Sequence, residues 1–492
     1  MSMAAQKSPT AGAYFGWLLA LVVPFSVYLG LRELGLAANS AIFVAIVSLP
    51  IVMWPFAILP DFVPGLLAVV LILLVGAAPP QVVLSGFSSN GFLMIIAILG
   101  LGALIRTSGL VNRLATWMIN GLPGNVMAYA LALFAGGLLL TPFLPSPAGR
   151  LAVTAPLVRQ LEDKIGDQVS RKGRSLIFLV GLDGVTLLTA SFLTAAPVNL
   201  IIFSLLPQQE RVAFQFVDWI IASAVAAGIM VAGYIVLACV FAFDAKRIAK
   251  PNIASPAAPI PADQWEVLAE GDTASAPQVN IPDKITRREW GAILGVLALG
   301  VGVLTTPIHL IPTPVLAFLI FALLFAVEIM ETPDFVSEID WAFIFLLGAL
   351  VGMTNTMSHL GITAQLVDQT QWLGDILRDD FQSFVLIVAG VIVVVRLVVP
   401  QTATTLVLVA ALLPLAEAVG VTAWVVGFTI LMMTDSVILD YQSPMHRVYR
   451  NSVGVGETID NGRIIAIRVL MICVRIAAIL ISIPYWQTLG IL

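Results

Sequence analysis

Apolar stretches of about 20 residues, the length an α-helix needs to cross a bilayer core, recur from Tyr14 to the last residue of the chain. This repetition constrains the fold more than any other feature of the sequence. In hydrocarbon no water can satisfy a main-chain N–H or C=O, so each run must bond within itself, as a helix does. Composition agrees: 59% of residues are hydrophobic and 11% charged, far from the roughly one-quarter charge of a soluble domain. Spans and their connections use up nearly the whole length, and no large soluble domain is left over. The expected fold is an all-α polytopic membrane protein.

Punctuation by Pro, Gly and charge places spans near 15–31, 40–58, 63–78, 90–105, 176–206 and 217–243 in the first half. The second half repeats the rhythm near 290–306, 314–329, 340–357, 421–449 and 464–487. The Pro-, Ala- and charge-rich segment 246–288 cannot bury a core and reads as a linker between halves 1–245 and 289–492. The first span lacks a basic region or a small-residue cleavage site before it, so it is expected to be a retained helix. Cys239 and Cys473 lie in apolar runs and are expected to be small buried hydrophobes, with no disulfide framework.

Each half also holds an apolar region that is interrupted midway. Leu131–Thr141 is followed by PFLPSPAGR and Leu151–Val158; Phe384–Val399 is followed by PQTATT and Leu406–Val419. Two short arms around a Pro-rich tip read as re-entrant hairpins, at about 126–160 and 382–419. Irregular backbone at membrane depth is tolerated only against protein or a watery cavity, and matching interruptions in two halves point to a transporter's binding site. Lys and Arg cluster at 159–174, in the linker and at 447–463, which the positive-inside rule makes cytoplasmic together with the N-terminus. Glu328, Glu331, Asp334 and Glu338 fall on the same side and fit that assignment less well. With this topology the first hairpin opens inward and the second outward, giving two inverted repeats of about 11 transmembrane helices plus two re-entrant hairpins. A bacterial inner membrane is the expected location.

Long stretches of the chain resemble the divalent anion:sodium symporter family of dicarboxylate, citrate and sulfate carriers, in the ion transporter superfamily. The resemblance lies in GFSSNGFLMIIAILGLGALIRTSGLVNRLATWMI from Gly86, PSPAGRLAVTAPL from Pro145, SFLTAAPVNLIIF from Ser191, IDWAFIFLLGALVGMTNTMSHLGITAQLV from Ile339, PQTATTLVLVAALLPLAEAVG from Pro400 and LDYQSPMHRV from Leu439. It implies a homodimer whose hairpin-bearing transport domain moves elevator-fashion. It also implies that the hairpin tips, with the unwound middle of a later helix, bind substrate and a coupling ion. The first tip places Ser146, Pro147 and Ala148 where the family has Ser-Asn-Thr; the second places Pro400, Gln401 and Thr402 there. Pro197 and Asn199 stand at the family's unwound segment in the first half, and Gln442, Ser443 and Pro444 resemble its broken helix in the second.

Arg150 stands just past the first tip, where a cation costs about 2.5–3.5 kcal/mol unless compensated. Its guanidinium either forks onto a substrate oxyanion, pairs with Asp183 or Asp435, or snorkels to the interface. A fixed cation beside the substrate would reduce sodium dependence. Arg396 precedes the second tip as a matching cation, read as a coupling-site residue or an ion pair between the arms. Thr402 and Thr404 are site candidates, with back-bonding to local carbonyls as the alternative. Asp183, Asp435 and Asp440 are intramembrane acids able to relay a proton or counter an arginine. His309, His359 and His446 lack metal-ligand spacing, and no cofactor or Walker motif is present. The expected function is therefore secondary transport of a small anion across the lipid bilayer, coupled to Na+ or H+. An exchanger or extrusion carrier for an inorganic oxyanion is the alternative, and an anion channel the third reading. No enzymatic constellation and no nucleic-acid partner is indicated.

Overall fold

The computed structural model describes residues 11–56, 59–60, 62–110, 113, 126–144, 146–165, 170–241, 285–362, 371–455 and 459–492. In the first half the helices are α1 Ala11–Glu33, α2 Ala38–Met53, α3 Phe62–Val75, α4 Asn90–Thr107, α5 Val126–Leu140, α6 Pro147–Ile165, α7 Arg171–Thr186, α8 Pro197–Leu205 and α9 Phe216–Phe241. The second half holds α10 Arg287–Leu304, α11 Thr313–Ala326, α12 Trp341–His359, α13 Phe381–Val395, α14 Gln401–Ala418, α15 Ala423–Thr434, α16 Pro444–Val453 and α17 Asn461–Thr488. Short helical turns connect several of them. Most of the segment 246–288, expected to be a linker, lies outside the described residues, and Cys239 and Cys473, expected to be buried, are exposed.

Among the described residues, 6 helices are long and apolar enough to cross a membrane, and the other apolar helices have 10–17 residues. The short ones have identifiable causes. Both interrupted regions break at their Pro-bearing tips, giving α5 and α6 in one half and α13 and α14 in the other. The runs expected as single spans at 176–206 and 421–449 are each two α-helices around a break that holds only short 3-10 turns, and Pro197 and Pro444 open the second helix of each. Proline at that position is favoured because its missing N–H would have no helical partner anyway.

Helix α10 begins two residues before the expected boundary at 289. Thr286 Oγ1 accepts from Glu289 N (3.1 Å), and Glu289 Oε2 accepts from Thr286 N (2.6 Å). This reciprocal cap satisfies two donors that a helix start leaves open.

The helices gather into two groups. In one, α1 to α4 pack with α10, α11 and α12; in the other, α5, α6, α7 and α9 pack with α13 to α17, while α8 touches both. Of the four acidic residues that fitted poorly with a basic face, Glu331, Asp334 and Glu338 meet arginines within the first group. Arg288 pairs with Asp334 and lies 4.0 Å from Glu331, and Arg106 lies 3.5 Å from Glu338. Arg113 holds Glu289 at 2.8 Å.

In the second group, α7 packs on both arms of the first interrupted pair, and α15 does the same for the second. A Cβ on Gly137 would sit 2.5 Å from the main chain of Gly184, so α5 and α7 approach as only glycines permit. Around Trp424, the rings of Phe214, Phe428, Trp219 and Trp486 join α15 to α9 and α17. Glu210, in the turn after α8, accepts from Ala423 N (2.9 Å) and Trp424 N (2.8 Å) and so caps α15 from a distance. Burial pushes the Glu210 carboxyl up, against the two N–H bonds that pull it down.

Candidate functional site

At the first tip, Ser146 accepts from Gly149 N (3.2 Å) and Pro147 opens α6, so both residues serve the start of that helix. Arg150, one turn further on, is fully buried, which excludes snorkelling in this conformation. Its Nε donates to Val185 O (2.7 Å), Nη1 to Leu144 O (2.5 Å), Ala195 O (2.6 Å) and Thr141 O (3.5 Å), and Nη2 to Thr189 Oγ1 (3.1 Å). These acceptors come from the tip, the end of α7 and the break before α8. The ion pairs expected with Asp183 or Asp435 do not form, because the guanidinium is taken up by uncharged oxygens.

Asn199, in the first turn of α8, ties the same break together. Its Nδ2 donates to Thr189 O (2.7 Å) and Phe192 O (2.8 Å), while its buried Oδ1 has no hydrogen-bond partner. Asp183, in the last turn of α7, lies beside the Tyr234 hydroxyl and makes no ion pair among the described residues.

The second tip is built differently. Arg396 caps α13 and is buried, with Nη1 donating to Val399 O (3.1 Å) and Nη2 to Ser436 O (3.5 Å). Its Nε has no partner, and no carboxylate among the described residues pairs with it, so the expected bridge between the arms is absent. Gln401 Nε2 donates to Asp435 Oδ1 at 3.4 Å. Thr404 and Thr405 donate to the carbonyls of Pro400 and Gln401 (3.0 Å each), the local back-bonding that their position in a helix allows. Thr402 is half-buried and its hydroxyl makes no hydrogen bond among the described residues.

Past the tip, Gln442 performs in the second break the service Asn199 performs in the first. It donates to Arg396 O (2.9 Å) and accepts from Ile438 N (2.7 Å) and Leu439 N (2.8 Å). Ser443 accepts from His446 N (3.4 Å) and caps α16, which Pro444 opens. Asp440 lies between Arg468 (2.7 Å) and Arg450 (2.9 Å), and Asp435 lies 3.2 Å from Arg475. A crevice of about 220 Å³ opens beside Asp440, Arg450, Asn461 and Arg468.

Arg468 and Arg475 are the principal residues that sequence reasoning missed. They sit seven apart in the apolar stretch of α17, on one helix face, and both are buried. Two cations at that spacing in a span were the available signal. Their acceptors include Met432 O (2.7 Å) and the carboxylates of Asp435 and Asp440, on α15 or in the break that follows it, and His446 Nδ1 (3.1 Å) on α16.

The two halves meet around these elements: α6 packs against α16, and α8 against α14 and α15. Hydrogen bonds tie the start of α6 to the break before α8, through Arg150 and Ala195 O, and the start of α14 to the break before α16, through Gln401 and Asp435; these helix N-termini carry partial positive charge suited to an anion. Arg150, Arg396, Arg468 and Arg475 are buried among these elements; Arg468 pairs with Asp440 and Arg475 with Asp435, while Arg150 and Arg396 pair with no carboxylate among the described residues.

Residues 13–492 match the family described as the sodium:sulfate symporter transmembrane region. The L-tartrate/succinate antiporters of Shigella sonnei (strain Ss046) and Escherichia coli (strain K12) are each 23% identical over 308 residues, 61% of this chain and 57% of theirs. The chain thus spans less than two thirds of those relatives' length. Among solved structures, the Alcanivorax borkumensis YdaH transporter matches 83% of this chain and 88% of its own, with a TM-score of 0.52 and 13% identity. At that identity the likeness is one of fold.

Proposed function

The chain belongs to the sodium:sulfate symporter family, and from that premise we propose that it is a secondary active carrier of a small dianion of the dicarboxylate or sulfate type. The observation that carries this reading is Arg396, buried at the second tip with its Nε unpartnered and with no carboxylate pairing with it among the described residues. In a low-dielectric interior uncompensated charge is expensive, and a bound dianion would offset it.

In this reading the substrate sits between the tips and the breaks. Arg396 is the first candidate to touch it, through its unpartnered Nε, followed by the free hydroxyl of Thr402. The interrupted pairs are re-entrant hairpins of inverted repeats. The group of helices that contains them moves elevator-fashion against the other group, within a homodimer in the bacterial inner membrane with the N-terminus cytoplasmic. Coupling is to Na+ or H+ with reduced dependence on sodium. Exchange is the second reading, favoured by the antiporter relatives.

The test is a melting-temperature screen of the purified protein against succinate, tartrate, citrate and sulfate, each as sodium and as choline salt. A saturable upward shift with at least one dianion is expected, weakened in Arg396→Gln. No shift with any of them would contradict the proposal.

A further inference from the structure

A buried arginine is ordinarily compensated by a carboxylate. Arg150 is compensated otherwise. Every hydrogen bond its guanidinium makes goes to a main-chain carbonyl or to the Thr189 hydroxyl, and those oxygens come from three separate stretches of chain. Asp435, close enough to feel the charge, bonds instead to Arg475 and Gln401. Val185 O belongs to the last turn of α7, where unpaired carbonyls carry partial negative charge that favours a cation. Leu144 O and Thr141 O belong to the tip, and Ala195 O to the break. What surrounds the guanidinium is a cage of neutral oxygens such as would also coordinate a free monovalent cation.

We propose that Arg150 is a resident cation: its guanidinium fills this cage and holds the first tip against the first break without any ion from solution. Among the described residues the second half has no counterpart at its tip. Arg396 reaches two carbonyls, one of them at 3.5 Å, and leaves Nε unpartnered. Any ion-dependent step of transport therefore falls on the second tip, a consequence that rests on the carrier reading above. The cage itself does not rest on it.

The test removes the side chain and supplies the cation separately. Purified Arg150→Ala in detergent is heated in guanidinium, sodium or choline chloride at matched millimolar ionic strength. Arg150→Ala is expected to melt below wild type. Guanidinium should raise its melting temperature saturably and several-fold more than it does for wild type, with sodium giving a smaller rise and choline none. Equal responses to guanidinium, sodium and choline would overturn the proposal.

If Arg150→Ala does not accumulate, Arg150→Lys against Arg150→Met decides the matter. A cage that requires a cation predicts that Lys melts above Met. Met melting above Lys would show a buried charge the fold is better without, and would overturn the proposal. A dianion-induced shift in wild type, measured in the same assay, reports separately on the transport reading.

Discussion

Arg475 on α17 braces the second break, and a double-mutant cycle with Asp435 measures how strongly. The guanidinium donates to Asp435 Oδ2 at 3.2 Å and to Met432 O at 2.7 Å, with side-chain exposures of 9% for the arginine and 17% for the aspartate. Removing one member of a buried pair costs about 3–5 kcal/mol because the other charge is left uncompensated. Asp435 keeps a long bond from Gln401 and some solvent contact, so Arg475→Met should fall at the lower end, about 3 kcal/mol. Asp435→Asn leaves Arg475 its carbonyl and should cost slightly less, about 2–3 kcal/mol. In the double variant neither charge remains, and the loss should stay at about 3 kcal/mol, a coupling of about 2–3 kcal/mol. Equilibrium unfolding in mixed micelles, followed by the fluorescence of Trp424 and its neighbours, supplies the energies. Additivity of the two single losses to within about 0.5 kcal/mol would refute the bracing role.

Gly137→Val should destabilise by about 1–3 kcal/mol or more, since the new Cβ meets the Gly184 main chain at 2.5 Å; the same unfolding assay reads it. Thr402→Val should weaken the dianion-induced melting shift while Thr404→Val leaves it unchanged, because only Thr402 has a free hydroxyl; equal effects would contradict the site. Glu210→Gln should lose about 1 kcal/mol as one of two cap bonds to α15 is sacrificed. With its carboxyl raised from the ordinary 4.5, folded Glu210 binds its proton at higher pH than the unfolded chain does. Its contribution therefore declines as pH climbs from that value through the raised one, and Glu210→Gln should remove that slope from a stability–pH curve.

The sequence was informative where a feature is local or repeated. Interrupted apolar runs located both tips, and Pro197 and Pro444 marked both breaks, because proline acts on its own stretch of backbone. Partners distant in sequence were not legible. Arg150 was recognisable as a buried cation, but its acceptors are main-chain carbonyls, and no side-chain pattern records which carbonyls a fold leaves open. The same limit hid the remote cap by Glu210 and the acidic group's pairing with Arg106 and Arg288. Arg468 and Arg475 were readable in principle from their spacing of seven, yet their roles emerge only once α17 is seen against α15 and the second break.

Counterflow in proteoliposomes tests the central claim most directly. Vesicles containing the purified protein are loaded with unlabelled succinate and diluted into labelled succinate, in sodium and in choline media, with tartrate and sulfate as competitors. A carrier of small dianions predicts uptake that saturates, overshoots equilibrium and is inhibited by a competing dianion. Its weak dependence on sodium would follow from a cation already resident at the first tip. Uptake that neither saturates nor responds to internal succinate, tartrate or sulfate, each tried as the loaded anion, would contradict the account.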